Sequence, residues 1–267
     1  MRPFVHDRLA RDGRGRNANE RPVTIGASTR LVALLGQPVA GSLSPRMQNA
    51  AFAARGLDWA YVPVDLGPEA LTDAVRGLAA AGFAGANVTM PHKTAAAELC
   101  DELDEISRGA GAVNTLVFAE GRIAGFNTDG AAVASAVTAA GGRALVLGRG
   151  GAARAAAAAL ERAGAEARLA SRGDPGWPPS GDDATILVNA TPVRDELLVE
   201  PRTHQQVVDL AYRADAGQTA LVAAARAAGC ATVVDGAEIL VRQGAVSFQL
   251  WTGLPAPVEV MRAAISA

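Results

Sequence analysis

At 267 residues, with 49% hydrophobic residues, 19% charged residues and a formal net charge of −2, the chain is long enough for two modest domains and is neither disordered nor charge-dominated. No run free of charged residues reaches the roughly eighteen positions that a membrane helix requires, so no membrane partner is expected. Residues 1–30 carry seven Arg against Asp7, Asp12 and Glu20, which leaves the remainder acidic and argues against nucleic acid as a partner.

Residues 1–30 are rich in Arg, Gly and Asn and lack the apolar segment of a secretory signal, so they read as a basic flexible tail on a cytoplasmic protein. Leu31 to Leu35 is an apolar run ended by Gly36-Gln37-Pro38, a first strand leaving into a loop. Pro45 stands at the first position of a helix that runs to Gly56. Trp59 to Val64 alternates as a second strand, Pro68 to Ala81 has helical spacing, and Gly85 to Met90 is a third strand. Pro91 opens another helix, Ala112 to Phe118 and Arg122 to Gly125 form a hairpin, and Asp129 leads into an Ala-rich helix. From Arg143 a second series begins: Ala144 to Leu147, a helix over Ala152 to Ala163, then strands at Glu166 to Ala170, Thr185 to Asn189 and Val207 to Leu210. Gly173 to Asp183 is a loop where another helix would be usual. A helix over Thr219 to Ala228, a strand at Thr232 to Val234 and helical residues from Glu238 onward complete the chain. Two alternating series fit an α/β protein with two parallel-sheet domains.

Of the 25 Lys plus Arg residues, Lys93 is the one lysine. In a chain that uses Arg wherever a positive charge suffices, that position calls for an amine able to release its proton, which Arg cannot do. Lys93 closes Asn87-Val88-Thr89-Met90-Pro91-His92-Lys93, where alternation puts Asn87 and Thr89 on one face. The positive end of the helix expected at Pro91 would favour the neutral amine there. No role falls to His92, and the two cysteines and three histidines form no metal-ligand pattern. Asn127-Thr128-Asp129-Gly130 lies at the junction of the two series, where Asp129 either orients Lys93 or caps the helix that follows. Ser42 and Ser44 either face a ligand or shape the turn before Pro45.

Gly148-Arg149-Gly150-Gly151-Ala152 follows a strand and opens a helix, as a glycine-rich loop that lets the backbone approach a pyrophosphate does. The next strand ends at Ser171-Arg172 rather than at an acidic residue. Arg172 can pair with a 2′-phosphate, which favours NADP over NAD, although Asp174 nearby keeps NAD open.

Together these segments resemble the shikimate dehydrogenase family from about Leu31 to Gly253. The matching motifs are Ser42-Leu43-Ser44-Pro45, Asn87 through Lys93, Gly111-Ala112-Val113-Asn114-Thr115, Asn127 to Gly130, Gly148 to Ala152, Asn189-Ala190-Thr191-Pro192, Asp209 with Tyr212, and Val241-Arg242-Gln243 before Trp251-Thr252-Gly253. The resemblance implies an N-terminal βαβ substrate-binding domain over 31–128, completed by C-terminal helices in 237–267, and a compact Rossmann-like NADP-binding domain over 129–236. It implies Lys93 and Asp129 as a catalytic dyad, with Ser42, Ser44, Asn87, Thr89, Asn114, Tyr212 and Gln243 around a polyhydroxy cyclohexene carboxylate. Its cofactor set is Gly148, Arg149, Gly150, Gly151, Ala152, Ser171, Arg172, Asn189, Thr191 and Gly236. The expected activity is the reversible reduction of 3-dehydroshikimate by NADPH in aromatic amino acid biosynthesis, by a monomer or homodimer.

The chain departs from the family pattern at Ser171-Arg172-Gly173, where Asn-Arg-Thr is usual, and in the short loop Gly173 to Asp183. Glu238 replaces a usual glycine, Gln48 a common His, and the Gly-Met that usually follows the Asn189 to Pro192 motif is missing. Two alternatives stay open: a family member acting on quinate or an aminoshikimate, and a non-catalytic relative that only binds shikimate.

Overall fold

A computed structural model describes residues 24–213, 215 and 217–266, so most of the expected basic tail lies outside the described residues. The first half forms β1 (Arg30–Gly36), α1 (Ser44–Ala54), β2 (Trp59–Asp65), a 3₁₀ turn (Pro68–Ala70), α2 (Leu71–Ala80), β3 (Gly85–Val88), α3 (Lys93–Ala97), β4 (Glu102–Leu103), α4 (Glu105–Ala110), β5 (Thr115–Ala119) and β6 (Arg122–Phe126). These strands make a sheet in the order β2-β1-β3-β5-β6-β4. β1 is parallel to both neighbours, and β5 runs antiparallel to β3 and β6. β1 starts one residue earlier than expected: Ser28 and Thr29 donate to the Asp58 carboxylate, and the Arg30 guanidinium lies over the Trp59 ring.

β1 is apolar throughout because the sheet is covered on both faces. Val32 and Leu34 face α1 and the C-terminal helices, whereas Ala33 and Leu35 face a second cluster with Leu71, Val75, Ala96 and Leu116. The alternation is the two-residue period of a strand.

The second half begins with α5 (Thr128–Ala136) and continues through β7 (Arg143–Leu147), α6 (Gly151–Arg162), β8 (Glu166–Ala170), β9 (Ile186–Asn189), β10 (Gln206–Asp209), α7 (Ala220–Ala227) and β11 (Thr232–Val234). Its strands are all parallel, in the order β11-β10-β9-β7-β8. Chain order reverses between β7 and β9, and in such sheets ligands settle beyond the carboxyl ends of the strands at that switch point.

Between β8 and β9 the chain forms only turns, as the sequence suggested. Trp177 of this segment packs in one cluster with Leu145, Leu147, Leu187 and Val207, joined by Leu197 and Leu198 from the segment after β9.

The chain then returns to the first sheet through α8 (Gly236–Thr252) and α9 (Val258–Ser266). Phe248 stacks on Phe52 at 5.4 Å between ring centroids, and the Trp251 indole donates to Leu116 O at 2.9 Å. Phe52 and Phe248 are fully buried, each worth roughly 1.5–3 kcal/mol of apolar burial. Gly85 permits the indole contact, since a Cβ there would stand 2.4 Å from Trp251 Nε1.

Two local expectations are corrected. Pro91 lies in a turn and α3 starts at Lys93, with five residues, because cooperative extension ends where the chain swings into β4. A macrodipole of that length does little to favour a neutral amine. The chain also forms α4, capped by Asp104, whose carboxylate accepts from Ser107 N at 2.8 Å.

Candidate active site

The carboxyl ends of β1 and β3, the loops after β9 and β10, and the first turns of α6 and α8 surround one cavity of about 300 Å³. It collects residues that are far apart in sequence. Ser42, Ser44, Asn87, Thr89, Lys93, Asn114, Asp129, Tyr212 and Gln243 all line it, together with Ala152, Thr191 and Gly236.

At its centre Lys93 Nζ donates to Asp129 Oδ2 at 2.5 Å, with side chains only 20% and 12% exposed. Asp129 has this freedom because Asn127, not Asp129, caps α5: the Asn127 side chain accepts from Gly130 N at 3.3 Å. The carboxylate in the first helical turn is left to face Lys93. His92 is buried and its ring Nε2 donates to Leu66 O at 2.8 Å, which anchors the segment carrying Lys93.

A buried polar network forms the wall behind the pair. Asn87 accepts from the Tyr61 hydroxyl at 2.8 Å and donates to Asn114 O, Thr115 Oγ1 and Ser247 Oγ. Asn114 Oδ1 accepts from Thr128 N at 2.8 Å, and its amide nitrogen lies 3.3 Å from Gln243 Oε1. Burial pushes the Tyr61 phenol well above its ordinary range, so it stays a neutral donor. Sequence reasoning missed Tyr61, Thr115, Thr128 and Ser247. The signal for Ser247 was its place four residues after Gln243, on the same helical face; Thr115 and Thr128 sat inside motifs already singled out.

Ser42 Oγ accepts from Ser44 N at 3.2 Å and so shapes the turn into α1. Both serines also line the cavity. Arg194, also missed, stands on the wall just after Pro192.

The glycine-rich loop flanks the cavity. Gly148 has φ +116°, a value L side chains rarely adopt, and lies against the Ala190 carbonyl. Gly150 faces open space and precedes α6 without any side-chain cap, so the first N–H groups of this twelve-residue helix have no protein acceptor from a cap. Gly151 packs on Lys93. Arg172 is exposed at the end of β8 and makes no hydrogen bond or ion pair with the described residues. An open helix end beside an unpaired cation fits the pyrophosphate and the 2′-phosphate of a dinucleotide.

Asn189 serves its own loop instead of the cavity. Its carboxamide accepts from Thr191 N and Thr191 Oγ1 and donates to Asp209 Oδ1 and Val193 O. Burial raises the Asp209 carboxyl, against the bonds from Thr219, Ala211 and Asn189.

The family model for a shikimate dehydrogenase substrate binding domain matches residues 34–116, and that for a shikimate 5'-dehydrogenase C-terminal domain matches 236–265. A shikimate dehydrogenase (NADP(+)) of Anaeromyxobacter dehalogenans is 43% identical, over 90% of this chain and 96% of the relative. This chain belongs to the shikimate dehydrogenase family. Another relative of that name, from Rubrobacter xylanophilus, is 45% identical over 91% of this chain and 97% of its own. Among solved structures, a shikimate 5-dehydrogenase from Thermus thermophilus in complex with NADP(H) and shikimate is 36% identical, with a TM-score of 0.79 over 89% of this chain and 98% of that one. In this chain Lys93 and Asp129 are in contact, and Arg149 stands between the glycines of the loop that opens α6.

Proposed function

We propose that the chain catalyses the reversible NADPH-dependent reduction of 3-dehydroshikimate to shikimate, an oxidoreductase step on a CH–OH group in aromatic amino acid biosynthesis. The observation that carries this reading is the Lys93–Asp129 contact inside the cavity that both sheets border. A purely binding relative would have no use for a proton-releasing amine held at 2.5 Å from a carboxylate.

When bound, NADPH supplies the hydride. Gly148, Gly150, Gly151 and the first turn of α6 would hold the pyrophosphate, Arg172 with Arg149 and Ser171 the adenosine end, and Thr191, Ala152 and Gly236 the cavity end. Lys93 Nζ delivers a proton to the substrate oxygen that gains negative charge, and takes it back in the oxidative direction. Asp129 orients the amine and balances its charge. Ser42, Ser44, Thr89, Tyr212 and Gln243 present hydroxyl and amide groups for the ring hydroxyls and carboxylate, with Asn87 and Asn114 fixed by the network behind them.

Under the same reading, residues 31–128 with helices from 237–267 form the substrate half and 129–236 the cofactor half. The packing of Phe248, Trp251 and Met261 among Val32, Met47 and Phe52 supports this division. Among the described residues no helix is long and apolar enough to cross a membrane. We place the protein in the cytoplasm, as a monomer or homodimer.

The test follows absorbance of the reduced nicotinamide with purified protein, pairing shikimate or quinate with NADP or NAD. Fastest turnover with shikimate and NADP is expected. Activity confined to quinate would move the chain to the first alternative. Shikimate binding without reduction under any pairing would leave only a binding function.

A further inference from the structure

The adenosine end of the proposed cofactor site carries an ion pair between two loops, Arg149 with Asp174. Gly148 N donates to Ala170 O at 2.7 Å, so the glycine-rich loop and the end of β8 lie side by side. Arg149 reaches across: its Nε donates to Ser171 Oγ at 3.0 Å, and one terminal nitrogen donates to both Asp174 oxygens at 2.7 Å. Asp174 Oδ2 also accepts from Ser171 N at 2.8 Å, and Asp174 N donates to Ser171 O, which fixes the carboxylate in the turn following β8. The Arg149 side chain is 56% exposed and that of Asp174 28%.

A fixed carboxylate just beyond the second strand of a dinucleotide fold is the feature that accepts the ribose hydroxyls of NAD and repels a 2′-phosphate. Here its charge is cancelled by Arg149, and Arg172 beside it is left unpaired. The local charge is therefore positive with Arg149 in place, balanced around a free carboxylate without it, and more positive still without Asp174. The Arg149 guanidinium beside Asp174 holds its carboxyl below the usual carboxylate range, so it stays ionised and depends on its partner.

We propose that Arg149 and Asp174 together set cofactor preference: Arg149 masks a carboxylate that would otherwise select a free 2′-hydroxyl, so the site accepts a 2′-phosphate only while the pair is intact or Asp174 is uncharged. This rests on the dinucleotide-binding reading above. It differs from a simple cation contact in one respect, because the effect of losing Arg149 depends on Asp174.

The test is calorimetric titration of the full chain with adenosine 2′,5′-bisphosphate and with adenosine 5′-monophosphate, in wild type, Arg149→Ala, Asp174→Asn and the double variant. Asn at 174 keeps an acceptor for Ser171 N. The bisphosphate-to-monophosphate affinity ratio is expected to fall at least about tenfold in R149A, to rise in D174N, and to recover most of the loss in the double variant, since each charged contact is worth about that factor. Circular dichroism checks that each variant is folded. A ratio unchanged in R149A, or a double variant no better than R149A, overturns the proposal. Failure of wild type to prefer the bisphosphate would instead overturn the NADP reading itself.

Discussion

Gly151, the first residue of α6, lies directly against Lys93: a Cβ at Gly151 would stand 3.3 Å from Lys93 Cβ and 2.8 Å from the Ala112 methyl. The second half of the chain thus meets the first at the residue proposed for proton transfer, and the glycine permits that approach. Gly151→Ala is expected to cost about 1–3 kcal/mol through overpacking. Neither obstructing atom is the far end of a flexible chain, so the strain shifts Lys93 or α6. Thermal unfolding should show a lower Tm, and steady-state kinetics a lower kcat; a variant matching wild type in both would mean the two halves adjust freely.

Asn114 carries much of the wall behind the pair. Its Oδ1 accepts from the buried Thr128 N, and its removal leaves that N–H without its 2.8 Å acceptor. Asn114→Ala should therefore destabilise the protein by about 1–3 kcal/mol, the cost of an unsatisfied buried donor. Denaturant unfolding measures this, and a loss of substrate affinity with unchanged stability would contradict a structural share in its role.

Glu238 joins α8 to α9. Arg242 Nε donates to it at 2.9 Å and Arg262 Nε at 3.0 Å, while Arg242 also reaches Ser135 O on α5. Partial burial pushes the Glu238 carboxyl up, but the Arg262 and Arg242 guanidinium groups outweigh it and hold the carboxyl below its ordinary value. The stabilisation is then present above about pH 4.5, where the unfolded chain titrates, and is lost as pH falls through the lower folded value. Glu238→Gln should lower stability at neutral pH by roughly 0.5–1 kcal/mol after solvent screening. The gap between wild type and variant should close in acid. A gap that stays constant down to the acid limit would remove this ion-pair network from the stability of the C-terminal helices.

Much of the fold is legible in local patterning. The apolar run of β1, the helix after Pro45, the alternation of β2 and the glycine loop opening α6 each express a backbone preference that tertiary packing does not oppose. The extent of α3 and the presence of α4 were not legible, because they depend on Asp104 as a cap and on the return of the chain into β4 rather than on periodicity. At the site, Lys93 stood out as the one lysine in the chain, whereas the contact of Asp129 with Lys93 became readable only once Asn127 was seen to hold the cap. The Arg149–Asp174 pair spans 25 residues, and no local pattern announces a contact between two loops that parallel strands bring together.

The most direct measurement is kcat for Lys93→Arg with shikimate and NADP. Arg keeps the positive charge facing Asp129 but cannot release a proton at working pH. A fall of at least about a hundredfold in kcat, with shikimate and NADP affinities little changed, is the expected result for a lost acid–base group. Turnover at the wild-type rate would show that Lys93 holds charge and position only, and that the proton in this reaction moves elsewhere.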